Sequence, residues 1–465
     1  MHSYIKEYRL LFLLSLSVAV LLALVNTFLI YLIIGLLVLL ITIYASRNTL
    51  VAISIVALLT LVSDIGVSAR TIVQLYSIGI LFILFFKEFG FDWRSYKSVP
   101  SLIRNYMLLL FASLILSSLN SHHMFAGFEL TLRTLVFFII VYILFSFTKT
   151  SDDIKNLLSA LIITCFLISL SVIYEFVSSG FWFLDFARNT YMRISGIISN
   201  VNATGGYFAV TIPITAAVLF QSGLRKSEKG LISFIFIFLF VGLLLTTSRS
   251  AFISVTVSLI TLFLILKRKM LIWFLGILGL IVISFIFIQP MNNLITLLLR
   301  LEEGVASRDV FWKLSWNIIS DNPIFGLGPG SFKYEVFNYI PVLLGSWHGS
   351  MITRINEITG GSNSSHNFFL VFFSDMGILG LLSAVLLPVI FYSVGIPLLK
   401  KFKEVNQSYY TISSGIIAVG TGLFVRAFFE GLGLINYGYI TTDLPFWICF
   451  IILIHLSQIK TESLL

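Results

Sequence analysis

One short stretch of the chain places a cation where the start of a helix would attract an anion. In the segment TTSRSAF, Ser248 is predicted to cap a membrane helix, so that Arg249 lies in the first turn of that helix. A cation at a helix N-terminus opposes the helix dipole, and a bound anion would remove the conflict. Exposed helix N–H groups and a guanidinium together suit a phosphate. Arg249 is therefore a candidate phosphate ligand, although an interfacial arginine can also simply extend to water.

A histidine is found in a comparable place in the segment NSSHNFFLVFFSDMG. Ser364 or Ser365 is predicted to cap the apolar helix that follows, with His366 in its first turn. The positive end of the helix dipole disfavours imidazolium and keeps a neutral imidazole that can accept a proton. His366 is thus a candidate general base, and the alternative is a hydrogen-bonded histidine at the membrane surface.

The segment before that histidine predicts an amphipathic helix between Ser307 and the Asn322-Pro323 pair. Arg308, Trp312 and Trp316 are spaced i, i+4 and i+8 and share one face. A second face, suited to packing on other helices, carries Val310, Leu314 and Ile318. The tryptophan pair suits stacking on sugar rings, or alternatively an aromatic belt at the membrane surface.

The GLGPGS stretch that follows this helix is not a nucleotide-binding fingerprint. The G-x-G-x-x-G spacing is absent, and no predicted strand precedes it. Gly326, Gly328, Pro329 and Gly330 instead predict a tight turn that leads the chain back.

The composition requires these residues to be positioned by a membrane fold. The chain is 58% hydrophobic and 11% charged, whereas a soluble domain carries about 25% charged residues. Its long apolar stretches indicate helices rather than the strands of a barrel. The prediction is an all-α polytopic membrane protein with about fourteen spans. These are 8–24, 27–44, 49–65, 70–86, 104–119, 128–147, 154–177, 201–221, 230–246, 250–266, 271–289, 367–399, 409–427 and 434–457.

The span predicted at 367–399 is too long for a straight crossing, so we expect it to tilt or to break near Pro388 or Pro397. Four segments are predicted: N-terminal helices at 1–177, central helices at 178–289, a large extracytoplasmic loop at 290–366, and C-terminal helices at 367–465. The loop joins the eleventh span to the twelfth.

The basic residues predict an orientation. Most of the 30 Lys and Arg residues fall in one alternating set of loops, which the positive-inside rule makes cytoplasmic together with both termini. The net charge of +9 is explained by orientation, so no nucleic-acid partner is predicted. The basic residues of the opposite set are nearly all arginines, which bind phosphate bidentately or pair with acids.

Neither a metal site nor a cofactor is predicted. Cys165 and Cys449 lie inside apolar runs and read as buried hydrophobes. Glu302 and Glu303 are the only adjacent acidic pair predicted outside, and a solvated loop explains them.

Four motifs together resemble the O-antigen ligase and O-antigen polymerase family. They are RISGIISNVN, the SRS that opens a span, R-D-V-F-W…NPIFGLGPGSF, and SSHNFFLVFFSDMGILGLL. The resemblance covers residues 180–390. It implies a membrane fold of the GT-C type, in the bacterial inner membrane, with the reaction on the outer face.

The resemblance also implies a reaction and its residues. Family members move a glycan from undecaprenyl diphosphate to an acceptor hydroxyl, and the matching motifs assign roles to Arg249, Arg308 and His366. Arg193 and Asn202 match more loosely as substrate-binding residues, and Trp312, Trp316 and Asn367 are further candidates. The expected partners are the lipid-linked saccharide, membrane lipid and other polysaccharide assembly proteins.

The residue chemistry agrees with such a transfer. Two arginines can stabilise a leaving diphosphate, and one histidine can deprotonate the acceptor hydroxyl. Since no carboxylate is evident beside the site, we expect a single inverting displacement without a metal.

Three functions stay open at this level. The ligases of the family have fewer spans than the fourteen predicted here, which favours a polymerase over a ligase. A lipid-linked oligosaccharide transporter is the rival from another class, with Asp375 and Glu175 as its best membrane acids. The pairs Glu129/Arg133 and Glu430/Arg426 are spaced to neutralise each other on helices.

Overall fold

The computed structural model describes residues 46–60, 67–92, 94, 96–179, 184–185, 190–191, 193–299, 308–339 and 364–459. The spans predicted at 8–24 and 27–44 lie outside the described residues. Contacts divide the chain into a short unit, 1–53, and a large unit, 54–465, which holds all the candidate site residues.

The described chain is almost wholly helical, as predicted. The helices are α1 (Arg47–Thr60), α2 (Val67–Phe89), α3 (Ser101–Leu119), α4 (Met124–Phe147), α5 (Ser151–Ser178), α6 (Val201–Leu219), α7 (Lys226–Thr246), α8 (Arg249–Leu266), α9 (Arg268–Phe287), α10 (Gln289–Leu299), α11 (Arg308–Asp321), α12 (Phe332–Tyr339), α13 (Phe368–Phe402), α14 (Gln407–Arg426) and α15 (Ile440–Gln458). Two-residue strands, β1 (Leu184–Asp185) and β2 (Thr190–Tyr191), pair antiparallel before a 3₁₀ turn at Gly196–Ile198.

Within the described residues, ten helices are long and apolar enough to cross a membrane, namely α3 to α9 and α13 to α15. Each matches one predicted span, with its ends within a few residues. A chain segment within lipid must satisfy its backbone N–H and C=O groups internally, and an α-helix does so. Hydropathy alone therefore places these helices.

Close helix crossings build the centre of the large unit from α6, α8 and α14. Gly205 lies against Ala251 and Ser248, where a Cβ would come within 2.7 Å of the Ala251 side chain. Gly422 likewise lies against the Ser254 carbonyl. Small residues thus bring the start of α6, the start of α8 and the end of α14 to one end of the bundle, called here the site end.

The predicted break of the long span lies elsewhere than expected. Helix α13 continues through Pro388 and Pro397, and its non-helical residue is Gly377, with φ 61° and ψ −154°. The break is the docking place of the glycine-rich turn: the Ile378 amide donates to the Pro323 carbonyl at 3.0 Å, and the Gly328 amide donates to the Asp375 carbonyl at 2.8 Å. The glycine-rich turn therefore supplies partners for backbone groups that lose their helical hydrogen bonds at the break.

The turn itself is confirmed. Gly326, Gly328 and Gly330 all have positive φ, which suits glycine. The Asp375 side chain holds the turn in place. Its Oδ2 accepts hydrogen bonds from the Gly330 amide at 2.9 Å and from the Tyr437 hydroxyl at 2.5 Å. The turn, α13 and the α14–α15 connection are thereby joined.

Candidate active site

Asn202 links the start of α6 to the start of α8. Its Oδ1 lies 3.4 Å from Arg193 Nη2 and accepts from the Ser248 hydroxyl at 3.3 Å. Ser248 is the N-cap residue of α8, as predicted, but its side chain makes no capping hydrogen bond because it turns to Asn202. Arg249 is the first helical residue and half-buried. The two weaker motifs therefore meet at the site end.

The buried Arg426 ties the start of α6 to the chain that follows α14. Its guanidinium donates to the Asn202 carbonyl at 2.6 Å and to the Leu432 carbonyl at 2.8 Å. The predicted i, i+4 helix pair of Arg426 with Glu430 is not formed, because α14 ends at Arg426 and the chain turns before Glu430. The two charges still act on each other across this turn.

His366 lies before its helix rather than in the first turn. The N-cap of α13 is Asn367, whose Oδ1 accepts from the Phe369 and Leu370 amides at 3.0 and 3.1 Å. The prediction of a serine cap was therefore wrong, since an asparagine placed one residue later satisfies two helix amides at once. His366 has φ 48°, a left-handed conformation that few non-glycine residues adopt.

This conformation turns the His366 ring towards a buried carboxylate. Its Nδ1 lies 3.4 Å from Glu430 Oε1, and the two side chains are 37% and 2% exposed. One ring nitrogen thus faces the protein interior, while much of the ring stays open to solvent. Glu430 Oε1 also accepts from the Gly431 amide at 3.1 Å.

Glu430 is held in its charged form. Burial opposes its ionisation, but the hydrogen bond and charge of His366, and the charges of Arg426 and Arg308, outweigh burial and lower its pKa to about 2. An ionised carboxylate therefore lies behind the imidazole.

Sequence reasoning assigned Glu430 to Arg426 and missed its contact with His366. It also expected no carboxylate beside the site, and the structure corrects this. The available signal was an acid in the short connection between the last two spans, on the same side of the membrane as His366.

Helix α11 brings Arg308 to the same group. Its charge acts on both Glu430 and Arg426. One turn along α11, Phe311 meets the His366 ring edge to face, with centroids 6.1 Å apart. Phe311, Leu314 and Ile318 form a buried core with the residues Phe332 and Val336 of α12, so the packing face predicted for α11 is largely confirmed.

The other predicted residues take different places. Trp316 is 55% exposed and meets Phe373 of α13 edge to face. Trp312 is half-buried, and its indole N–H has no acceptor among the described residues. Asn367 is 8% exposed, and besides capping α13 it donates to the Phe428 carbonyl at 3.1 Å.

No group of three His, Cys, Asp or Glu side chains within the described ranges lies close enough to share a metal ion. Glu302 and Glu303 lie outside those ranges. Metal independence therefore stays a prediction.

The fold and this cluster define an integral membrane protein of helical type in which Glu430, His366 and Arg426 lie together at one end of the bundle. Residues 234–385 match the family model described as O-antigen ligase, which confirms the family resemblance carried by the motifs. Arg249, Arg308 and His366 fall inside the matched range, and Glu430 and Arg426 lie beyond it. A search of curated proteins finds no match to the chain. The family match supports glycosyl transfer in polysaccharide assembly, on lipid-linked saccharides.

Proposed function

We propose that the protein transfers a glycan from an undecaprenyl-diphosphate-linked donor to a sugar hydroxyl, and that it polymerises a surface polysaccharide. The observation that carries the proposal is the His366–Glu430 pair beside Arg308, in a chain that matches the O-antigen ligase family. This cluster combines a base with cations, which is the set of groups that the transfer needs.

His366 acts as the general base in this mechanism. Its Nδ1–H donates to the ionised Glu430, which leaves Nε2 unprotonated and open to the acceptor hydroxyl. As the hydroxyl oxygen attacks the anomeric carbon, its proton passes to Nε2. The imidazolium that forms is stabilised by the buried carboxylate 3.4 Å away. Glu430 is thus a positioning residue that acts through His366.

The arginines stabilise the leaving group. The bond between the anomeric carbon and the diphosphate oxygen breaks, and its electron pair leaves with the diphosphate. Arg249 and Arg308 offer planar forks that match phosphate oxygens. Arg193 and Asn202 form a neighbouring polar group that we assign to donor binding.

The burial of Glu430 favours a single displacement with inversion. A retaining enzyme needs a carboxylate that reaches the anomeric carbon as a nucleophile. Glu430 is 2% exposed and lies behind His366, so it can act on the imidazole but does not face an acceptor or donor. The mechanism requires no metal.

The aromatic residues of α11 are proposed to contact sugar. Trp316 exposes 55% of its surface at the site end, and flat rings of this kind stack on the apolar faces of sugars. Trp312 carries a buried N–H that lacks an acceptor among the described residues. Asn367 has both ends of its amide bonded to backbone groups, so we assign it the role of holding the neighbouring His366 in place rather than of contacting substrate.

The proposed location is the bacterial inner membrane with the site end on the outer face. The basic loops support this orientation. Membrane lipid and other polysaccharide assembly proteins are the proposed partners.

The experiment uses purified protein and one undecaprenyl-diphosphate-linked repeat unit. A ladder of longer glycans supports a polymerase. Transfer that begins only when a lipid A-core acceptor is added identifies the alternative, a ligase. No turnover with either acceptor, together with movement of the donor across vesicle membranes, would identify the transporter and end the proposal.

Two contacts favour an enzyme over that transporter. Glu175 accepts from the Gly196 amide at 2.7 Å, and Asp375 accepts from the Gly330 amide at 2.9 Å. The acids expected to line a transport route are therefore engaged with loop backbone.

A further inference from the structure

A pocket of about 480 Å³ lies between α3, α4 and α15, at the end of the bundle opposite the site end. Its walls are mainly apolar side chains of the three helices, and they include Ile103, Met107, Phe138, Val141, Trp447 and Ile451. This volume lies within the range of small-molecule sites. None of these residues takes part in the proposed glycan transfer.

Two packed aromatic rings form the deep part of the pocket. The Phe138 and Trp447 rings meet edge to face with centroids 4.8 Å apart. Trp447 is 1% exposed, and its indole N–H donates to the Leu434 carbonyl at 2.9 Å. The apolar walls are therefore already formed, and a ligand would have little ordering of side chains to cause.

The mouth of the pocket is basic. Lys97 and Arg104 both line it. Lys97 Nζ donates to the Phe145 and Thr148 carbonyls at 3.3 and 2.8 Å and lies 3.1 Å from His455 Nδ1. Its donors are used within the protein, so it offers a fixed positive charge rather than a free hydrogen bond.

The nearby carboxylates make their direct contacts with groups other than Lys97 and Arg104. Glu88 pairs with Lys149 at 2.6 Å, and Asp153 accepts from the backbone amides at the start of α5. Burial, and then the charge of Lys149, lower the pKa of Lys97 to about 8 against the opposing charge of Asp153. Exposed Arg104 has no carboxylate within ion-pair distance in the described part of the chain.

We propose that this pocket binds an anionic phospholipid, with an acyl chain against Met107, Val141 and Trp447 and the phosphate beside Arg104 and Lys97. An anionic amphiphile suits this pocket, because its acyl chain would lie against the apolar walls and its phosphate would lie beside the basic side chains at the mouth. The mouth lies where α4 and α15 end and α3 begins, the level at which lipid headgroups meet the ends of spanning helices.

The test measures lipid retained by the full-length protein after reconstitution into nanodiscs of dioleoyl phosphatidylglycerol or dioleoyl phosphatidylcholine. Native mass spectrometry after transfer to detergent counts the bound lipids. The wild-type protein should retain one phosphatidylglycerol and little phosphatidylcholine. Arg104→Gln should reduce that retention about fivefold, the usual effect of one basic residue at a membrane surface.

Two further variants complete the design. Arg268→Gln is the matched control, because Arg268 is an exposed arginine that begins a spanning helix at the same end but outside the pocket. It should retain lipid as the wild type does. Met107→Trp fills the pocket and should abolish retention, while an unchanged thermal unfolding midpoint in detergent shows that the variant is folded.

Equal retention of the two lipids would overturn the proposal. So would an Arg104→Gln variant that behaves like Arg268→Gln, or recovery of a polyprenyl phosphate in place of the phospholipid. Each of these results is readable even if glycan transfer is never observed.

Discussion

Glu430 is the residue whose role changes most between the sequence and the structure. In the sequence it is four residues from Arg426, and a continued helix would place the two on one face, where their charges neutralise each other. Helix α14 ends at Arg426, and the turn that follows sends Glu430 to His366 instead. A pair of this kind orients an imidazole and stabilises the cation that forms on it.

The variants His366→Ala and Glu430→Gln test the pair. His366→Ala should lower kcat by about 10²–10⁴-fold, the usual contribution of general base catalysis. Glu430→Gln keeps the shape but removes the charge, so kcat should fall strongly while donor binding persists. His123→Ala is the matched control, since His123 is also predicted to lie outside but pairs with Glu335 at 3.2 Å.

The pH profile separates positioning from mere packing. The pKa of Glu430 is lowered to about 2, so the carboxylate stays ionised above that pH and does not itself shape the rate near neutrality. Loss of this anion disfavours the imidazolium, and the acid limb of kcat should therefore move to lower pH in Glu430→Gln. An unmoved acid limb in a folded Glu430→Gln protein would show that the carboxylate only fills space.

Arg249→Lys and Arg308→Lys keep the charge but lose the planar fork. Each should cost about 2–4 kcal/mol of transition-state stabilisation, by analogy with the loss of one oxyanion donor. The measurement is kcat/KM with the lipid-linked donor, with Arg268→Lys at the opposite end as the control. Near-normal turnover in both variants would leave these arginines as interfacial residues without a role in the reaction.

Chelation tests the chemistry of the leaving group. If arginines alone neutralise the diphosphate, turnover should survive an excess of EDTA. Activity that is lost with EDTA and restored by magnesium or manganese would contradict this and make Glu302 and Glu303 ligand candidates.

At the scale of elements, the sequence predicted the helices better than their breaks. The ten long helices follow from hydropathy, a property of each segment on its own. The break in α13 depends on a turn about fifty residues earlier, and no local signal at Gly377 announces that contact. The prolines that drew attention lie within regular helix.

Positive φ angles at four non-glycine residues are another feature that the sequence did not indicate. Among the described residues, the non-glycine residues with positive φ are Ser199, Thr247, His366 and Tyr437. The first three directly precede the N-caps of α6, α8 and α13. Left-handed backbone at functional positions persists only where surrounding contacts impose it, so tertiary packing rather than local preference orients these turns.

Gly377→Ala tests the α13 break. A Cβ at Gly377 would lie 2.1 Å from the Ile324 carbonyl oxygen, and its backbone, with φ 61° and ψ −154°, lies in a region that costs a non-glycine residue about 1–3 kcal/mol. The thermal unfolding midpoint in detergent should fall and turnover should drop, because α11 shifts relative to His366.

Gly276→Ala is the control for that variant. Gly276 lies in α9, and a Cβ there meets nothing within 4 Å, so stability should be unchanged or slightly higher. Equal midpoints for the two variants would show that the turn is not tied to the break.

At the scale of the whole molecule, the orientation of the bundle is the main prediction. Cysteines introduced at Lys333 and Lys403, both exposed, report on the two ends. A membrane-impermeant maleimide added outside should label position 333 and not position 403. The native Cys165 and Cys449 are buried and give little background. Labelling of position 403 alone would show that the bundle has the opposite orientation, with the candidate site on the cytoplasmic side.

The docking of the glycine-rich turn into α13 limits how a substrate can arrive. Backbone hydrogen bonds at Leu327, Gly328 and Ile378 join the turn to the helix. Lifting the turn would leave those groups unpaired beside an apolar bundle, at a cost of several hydrogen bonds. The glycine-rich turn, which connects α11 to α12 and is bonded to α13, therefore behaves as a fixed support for the helices that carry Arg308 and follow His366. For the lipid-linked donor proposed above, binding and release would then take place without any movement of this turn.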